Sequence, residues 1–524
     1  MEEYLRAGKA DDLSNKKERT IFRFFEILPG ALSWLTIIGG ILLAKFAPFW
    51  CAIFIIAFSL YWLIKAFYFS FYLKTSYKKL REFQKINWQE KLNKLSKKDF
   101  SLPINSVDQI YHLIVFPMYK EPVEIVRETF KSLLKCNYRK DRMIVVLAVE
   151  ERAGEHGKKV AEAIQKEFGD KFFHFLITFH PKDLPGEIPS KGSNEAWASK
   201  KAKELIDQLK IPYEHIIYSS FDVDTYIYPD YFACLTYHYL TTKKPLRTSF
   251  QPVPFFFNNI YQVPAISRVF SLSTSFWHII NQEREDKLIT FSSHSMPFKA
   301  LVDVGFKLPN VVSDDSRIFW QCFLFYNGDY RVKPLYYPVS MDANQGKRLL
   351  DTLIQIYKQQ RRWAYGVGEI PYAFLGFLKN KKIPLRKKFS FGGELLEGHW
   401  NWACGSLILL LFGWLPLILG GYQFTQTLFA YNLPRIVGRI LTVAMIGLFS
   451  SIYYSFYLLP KKPNKKKPNV IKVALEWFLL PVSMVFFTSL PALDAQTRWM
   501  FKRYMAFWPT PKIRKKIIQN EPLF

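Results

Sequence analysis

Residues 215–225 read HIIYSSFDVDT. HIIYSSF is a short apolar run of the kind that makes a buried parallel strand, and two carboxylates, Asp222 and Asp224, follow it at once. Working outward, the same unit repeats. YHLIVFPMY (111–119) reads as a strand and EPVEIVRETFKSLL (121–134) as a helix. MIVVLAVEE (143–151) and GKKVAEAIQKEF (157–168) follow, then FFHFLITFH (172–180) and NEAWASKKAKELIDQL (194–209). Strands alternating with helices predict an α/β domain with a mostly parallel sheet and helices on both faces. In such sheets ligands bind beyond the carboxyl ends of the strands, where the acidic residues fall.

Apolar runs flank this region. Residues 29–44 and 48–73 are separated only by Lys45 to Ala47 and predict a helical hairpin, since a hydrocarbon core needs about 20 residues. Residues 403–421 and 436–459 form a second pair. The leader, the stretch from Lys74 to Lys98 and the loop 461–467 (KKPNKKK) are all basic, and four spans put them on one side, read as cytoplasmic. A fifth run, 470–492, spoils this parity. It either crosses, leaving a basic tail outside, or is broken at Pro481 and Pro491 into a re-entrant or interfacial element.

Composition agrees. The 524 residues are 49% hydrophobic and 17% aromatic yet 22% charged, so apolar and polar segments are segregated. A net charge of +28 fits nucleic acid or an anionic membrane face. The basic clusters lie beside apolar runs and no nucleic-acid signature is present, which favours the bilayer and argues against nucleic acid. Five scattered cysteines read as reduced structural residues.

Three motifs carry chemistry, each with a plainer alternative. Asp222 and Asp224 can share one hard cation, or can be a solvated turn. Ser313-Asp314-Asp315 opens a helix-like stretch, where acidic residues also serve as simple caps. In QQRRW, Gln359, Arg362 and Trp363 share one helix face, which equally suits packing on a membrane surface.

The ordered set FPMYKEP, EE, KGSN, DVD, SDD and QQRRW resembles the processive family 2 glycosyltransferases of the cellulose synthase and hyaluronan synthase type. The resemblance covers about Tyr111 to Gly366 and the flanking architecture. It implies a GT-A-like mixed, mostly parallel sheet inserted between transmembrane helix pairs. It implies that Pro117, Tyr119 and Glu121 hold the nucleotide, that Glu150 and Glu151 match an acidic pair contacting base and ribose, and that Lys191 and Asn194 lie near the nucleotide. Asp222 and Asp224 would hold the diphosphate through Mg2+ or Mn2+. Asp315 matches the general base, with Ser313 and Asp314 before it on the acceptor side. Gln359, Arg362 and Trp363 would lie near the acceptor and the departing diphosphate.

Some positions depart from the family pattern. Glu replaces the usual Asp at 150 and 151, lengthening the arm. His294 stands where cellulose synthases have small residues, and reads either as an acceptor contact or as a structural histidine. No gating-loop match is legible after Tyr337, and the tail beyond 493 is too short for a cyclic-dinucleotide-binding domain. His399, Trp400 and Trp402 read as an aromatic belt or as a channel entrance.

The expected layout is a basic leader (1–28), a transmembrane hairpin (29–73), a basic linker (74–106), the catalytic domain (107–345), interfacial helices (346–400), a transmembrane region (401–493) and a basic tail (494–524). The expected activity is inverting transfer from a UDP- or GDP-sugar to a growing polysaccharide at the cytoplasmic face of the plasma membrane. Translocation through four or five spans would call for a homo-oligomer or an export partner. The alternatives are single-sugar transfer to a lipid phosphate or lipid-linked glycan, and an inactive transferase-like scaffold.

Overall fold

The computed structural model describes residues 2–460 and 469–514; the loop 461–467 and Lys515 and Lys516 of the tail lie outside the described residues. Strands β1 (Tyr111–Met118), β2 (Met143–Glu150), β3 (His174–His180) and β4 (Ile216–Ser220) are the predicted parallel unit. The helices Val123–Leu134, Gly154–Phe168 and Lys191–Gln208 cross between them. Further strands β5 (Tyr226–Ile227), β6 (Thr248–Phe255), β7 (Ser295–Pro297) and β8 (Arg331–Ser340) extend the sheet. The strand order is β3-β2-β1-β4-β7-β6-β8-β5. Parallel pairing joins β1 to β2 and β4, β2 to β3, and β6 to β8. The short β7 runs antiparallel to both β4 and β6, so the sheet is mixed at its centre.

Strand side chains alternate between faces, and both faces are covered. Ile114, Phe116, Val145 and Leu147 enter one core with Phe130 and Phe168. Leu113, Val115, Ile144 and Val146 enter the other with Ala198, Phe319 and Trp320. This explains why MIVVLAVE carries no polar alternation: β2 is buried at every position.

Among the described residues, four helices are long and apolar enough to cross a membrane: Lys16–Phe46, Pro48–Lys85, Leu428–Leu458 and Val470–Met500. Pro48–Lys85 has 38 residues, about 57 Å of helix against a hydrocarbon core of about 30 Å. Its polar end takes up much of the predicted linker and packs Leu73 and Leu80 against Val253 and Phe255 of β6. The predicted third span, 403–421, is not one helix. The helix Leu385–Leu411 ends inside it, and Leu415–Leu419 follows after a turn, with a glycine at 413 and a proline at 416.

The disputed run 470–492 stays helical to Met500, through a π-helical turn at Val485–Ser489. Pro481 and Pro491 each open an α-helical piece directly after a change of helix type, the 3-10 turn Trp477–Leu479 and the π-helical turn, which accommodates them without ending the run. Both ends of the run are fastened to the catalytic half. Glu476 pairs with Arg268 at 2.7 Å, and Asp494 pairs with Arg361 of the QQRRW helix at 2.8 Å.

The leader is not a free basic arm. Tyr4, Leu5, Ala7, Ala10 and Leu13 are buried against the domain. The Ala7 carbonyl accepts from Arg317 (3.0 Å) and the Leu5 carbonyl from the Tyr372 hydroxyl (3.0 Å).

Candidate active site

The carboxyl ends of β1, β2 and β4, with the N-termini of two helices, converge on a cavity of about 850 Å³. The helix Lys191–Gln208 starts where the Ser190 hydroxyl accepts from the Ser193 amide (3.2 Å), which sets Lys191 at its first turn. Gly192 lets this helix approach the helix Asp314–Phe325: a Cβ there would stand 2.6 Å from that of Asp314. Asp314 and Asp315 lie in the first turn of their own helix, at the positive end of its dipole.

Charge is concentrated between these helices. Lys191 Nζ lies 2.9 Å from Asp222 and 3.0 Å from Asp315. Lys307 Nζ, fully buried, reaches Glu195 (2.5 Å), Asp314 (2.8 Å) and Asp315 (2.9 Å). Burial alone would raise the Asp315 carboxyl, but Lys191 and Lys307 hold it well below the usual carboxylate range. Burial pushes Asp314 and Glu195 up despite Lys307. Four carboxylates (Asp222, Asp314, Asp315 and Glu195) thus meet two ammonium groups, an excess of two negative charges when all are ionised.

The donor set fits a hard divalent cation. Asp224 Oδ2 accepts from the Asp342 amide (2.9 Å) and from Lys512 (2.6 Å), but its buried Oδ1 has no partner among the described residues. Asp222 Oδ2 accepts from Ser292 (2.9 Å). Glu195, Asp314 and Asp315 also lie within ligand distance of one another, but the Lys307 ammonium bonds all three and fills that place.

At the β1–β2 end, Pro117, Tyr119, Glu121 and Glu150 line the cavity. Glu121 accepts from the Tyr119 amide at 2.7 Å. Asn194 donates to the Ala148 carbonyl (2.7 Å), leaving its Oδ1 buried and without a partner among the described residues. Glu151 is exposed on the next turn and accepts from the Lys182 amide, so the two members of the acidic pair part company.

At the opposite end, Ser313, Gln359, Arg362 and Trp363 line the cavity. Arg362 lies 4.8 Å from the Phe507 ring, its Nε buried without a partner among the described residues. Trp363 packs beside Phe256 and Phe270. His294 is fully buried, bonds the Phe291 carbonyl through Nδ1 (2.9 Å) and backs Asp315 at 3.7 Å, so the structural alternative describes its position. From here the cavity continues among the apolar helices past His399 and Trp402 to Ser406 and Ser489.

Sequence reasoning missed four groups here. Glu195 directly follows the KGSN motif, a legible signal. Lys307 is an isolated lysine with no motif around it. Lys512 and Arg514 lie in the tail, which returns to the site: Lys512 bonds Asp224 and Arg514 pairs with Asp342 at 2.6 Å.

No protein-family model matches the chain, and no curated protein matches it. Among solved structures it is similar to the mannosyltransferase PcManGT from Pyrobaculum calidifontis in complex with GDP-Man and Mn2+, at 12% identity and a TM-score of 0.38, over 75% of this chain and 99% of that one. S. aureus TarS 1-349 in complex with UDP-GlcNAc gives 12% and 0.35, over 79% and 99%. GalNAc-T7 with UDP, GalNAc and Mn2+ gives 9% and 0.32, over 56% and 58%.

Proposed function

We propose that the chain is a membrane-embedded, inverting family 2 glycosyltransferase that extends a polysaccharide from a nucleotide-diphosphate sugar at the cytoplasmic face. One observation carries the reading: Asp222, Asp224, Asp315 and Arg362 face a single cavity that continues into the apolar helices. In this reading Pro117, Tyr119, Glu121, Glu150, Lys191 and Asn194 bind the donor, with Glu151 at the margin. Ser313, Asp314, Gln359 and Trp363 shape the acceptor side, with His294 behind Asp315.

The acceptor hydroxyl oxygen attacks the anomeric carbon and gives its proton to Asp315. The bond from that carbon to the phosphate oxygen breaks, and its electron pair leaves on the diphosphate. Attack opposite the leaving group inverts the centre. Arg362 and Lys191 stabilise the charge on the departing diphosphate. Mg2+ or Mn2+ bound by Asp222 and Asp224 would supply further positive charge to it. The helix Val470–Met500, tied at both ends to the catalytic half, lies along the membrane interface, which returns the tail to the cytoplasmic side.

The test is turnover of a panel of radiolabelled nucleotide sugars by purified protein with Mn2+ or Mg2+, beside Asp315→Asn. A large product, absent with EDTA and in the variant, is expected. A single lipid-extractable addition would replace polymerisation by transfer to a lipid acceptor, and no turnover with any donor would refute the transferase.

A further inference from the structure

One stretch of the cavity wall is used by neither the donor end nor the acceptor end. Trp277 and Asn281 of the helix Ala265–Asn281, Arg284 and Lys287 of the loop after it, and Glu394 and Glu397 of the helix Leu385–Leu411 line it. Ion pairs lace these segments together. Glu394 holds Arg284 on one oxygen (2.6 Å) and Lys287 on the other (3.0 Å). Glu397 Oε1 pairs with Lys65 of the helix Pro48–Lys85 at 2.7 Å and accepts from the Tyr61 hydroxyl, while its Oε2 has no partner among the described residues. The loop then runs to the reacting centre. Thr290 donates to the Asp315 carbonyl (2.6 Å), His294 Nδ1 bonds the Phe291 carbonyl (2.9 Å), and Ser292 donates to Asp222 (2.9 Å).

Trp277 is the apolar part of this wall, and it is 47% exposed. The rings of His278 and Phe291 meet it at 75° and 74°, so no ring lies flat on it among the described residues. Asn281, one turn further along the helix, donates to the Trp277 carbonyl (2.7 Å). An open indole flanked by carboxylates, a guanidinium and an amide suits a sugar. A sugar ring offers C–H bonds to the negative face of the indole, and a rim of hydroxyls that each donate and accept. Three cations (Lys65, Arg284 and Lys287) against two carboxylates leave the lining near neutrality, which favours a polyol over a phosphate chain. Lys65 lies about 26 Å along its helix from Pro48, near the inner boundary of a hydrocarbon core of about 30 Å in the proposed topology. A sugar can therefore reach this wall from a glycan chain or as the head of a lipid in that leaflet. Resting on the transferase reading, we propose that this wall is a second carbohydrate-binding subsite, in which Trp277 stacks on a sugar ring while Arg284, Glu394 and Glu397 bond its hydroxyls, one loop away from Asp315.

The test is calorimetric titration of the full chain, without donor and in a detergent that carries no sugar head. The probes are cellohexaose, chitohexaose and mannohexaose, and octyl glucoside as a sugar carried on an alkyl chain. At least one is expected to bind. Trp277→Leu should weaken it by about tenfold, and Trp277→Phe should recover most of that loss. In turnover with the same sugar as acceptor, Trp277→Leu should raise its KM by a similar factor and leave the donor KM unchanged. Should Trp277→Leu not fold, Glu394→Gln takes its place and should weaken the same sugar by about threefold to tenfold. Binding of a hexamer supports the subsite and assigns it to a glycan chain, and binding of octyl glucoside alone supports it and assigns it to a lipid-borne head. Binding of no probe, or equal binding by the wild type, Trp277→Leu and Glu394→Gln, would overturn the subsite, and continued turnover of a nucleotide sugar would then leave the transferase standing. Binding that depends on Trp277 without turnover of any donor would support the subsite and remove the transferase.

Discussion

Lys512 Nζ stands 2.6 Å from Asp224 Oδ2, placing a tail cation on one of the two carboxylates proposed to hold the metal. An ammonium there competes with a cation for the same oxygen, so the metal-competent state is reduced by the fraction in which Lys512 is bound. Lys512→Met should therefore tighten Mn2+ binding by about threefold to tenfold, read from the free-ion signal in electron paramagnetic resonance. Unchanged or weaker binding would show that the tail does not compete with the metal.

Asp315→Asn keeps the shape of the side chain and removes its basicity. Loss of a general base costs about 10²- to 10⁴-fold in rate. The expected result is a kcat lowered by about a thousandfold with nucleotide affinity unchanged, because Asp315 acts on the acceptor proton.

Removing Lys307 takes the shared ammonium from Glu195, Asp314 and Asp315 in a buried site and leaves Lys191 as their one remaining cation among the described residues. Lys307→Met should cost about 3–5 kcal/mol, the usual penalty for breaking a buried ion cluster on one side. A fall in Tm tracked by tryptophan fluorescence checks this. A drop no larger than that of an exposed lysine such as Lys94 would contradict it.

His112, His238 and His294 are buried and pushed down to about 3. Their folded pKa values lie below the unfolded ones, so the unfolded chain binds more protons once pH falls below about 6.5. Their contribution is complete above that value and is lost as pH falls toward 3, at about 1.4 kcal/mol per pH unit for each group. His180, held above its ordinary value, works in the opposite sense. Tm should decline between pH 7 and pH 5, and His112→Asn should make that decline shallower.

Ser406 lines the inner end of the cavity and shares a 2.7 Å hydrogen bond with Ser489. If the product leaves by this route, Ser406→Trp should shorten it while leaving the rate of the first addition within about twofold, a volume effect remote from Asp315. Gel filtration of labelled product reads the length.

The parallel half of the sheet was legible because each of its strands is a short, largely apolar run beside a helix of clear period. β7 was not: Ser295–Pro297 is three residues long and takes its identity from pairing with β4 and β6. Hydropathy leaves the run 470–492 open between a span and an interfacial element, and the ion pairs that fasten it reach residues about 130 and 210 positions away, which no local pattern signals. Within the candidate site, motif spacing singles out Asp222, Asp224, Asp315 and Arg362, which line one cavity. Lys307 escaped because its role comes wholly from burial among carboxylates contributed by other segments. Glu150 and Glu151 look equivalent in sequence, and only the end of β2 separates a cavity wall from an exposed turn.

The strap at Tyr4–Leu13 also sets an order of events. Its carbonyl anchors, Arg317 and Tyr372, lie 310 and 367 residues downstream of the atoms they hold. During synthesis the strap therefore waits, unpartnered, while the first two long helices are placed and the whole sheet is made. It is made before the sheet it docks on and docks only after its anchors are made, so its burial reports that the domain beneath it has been completed.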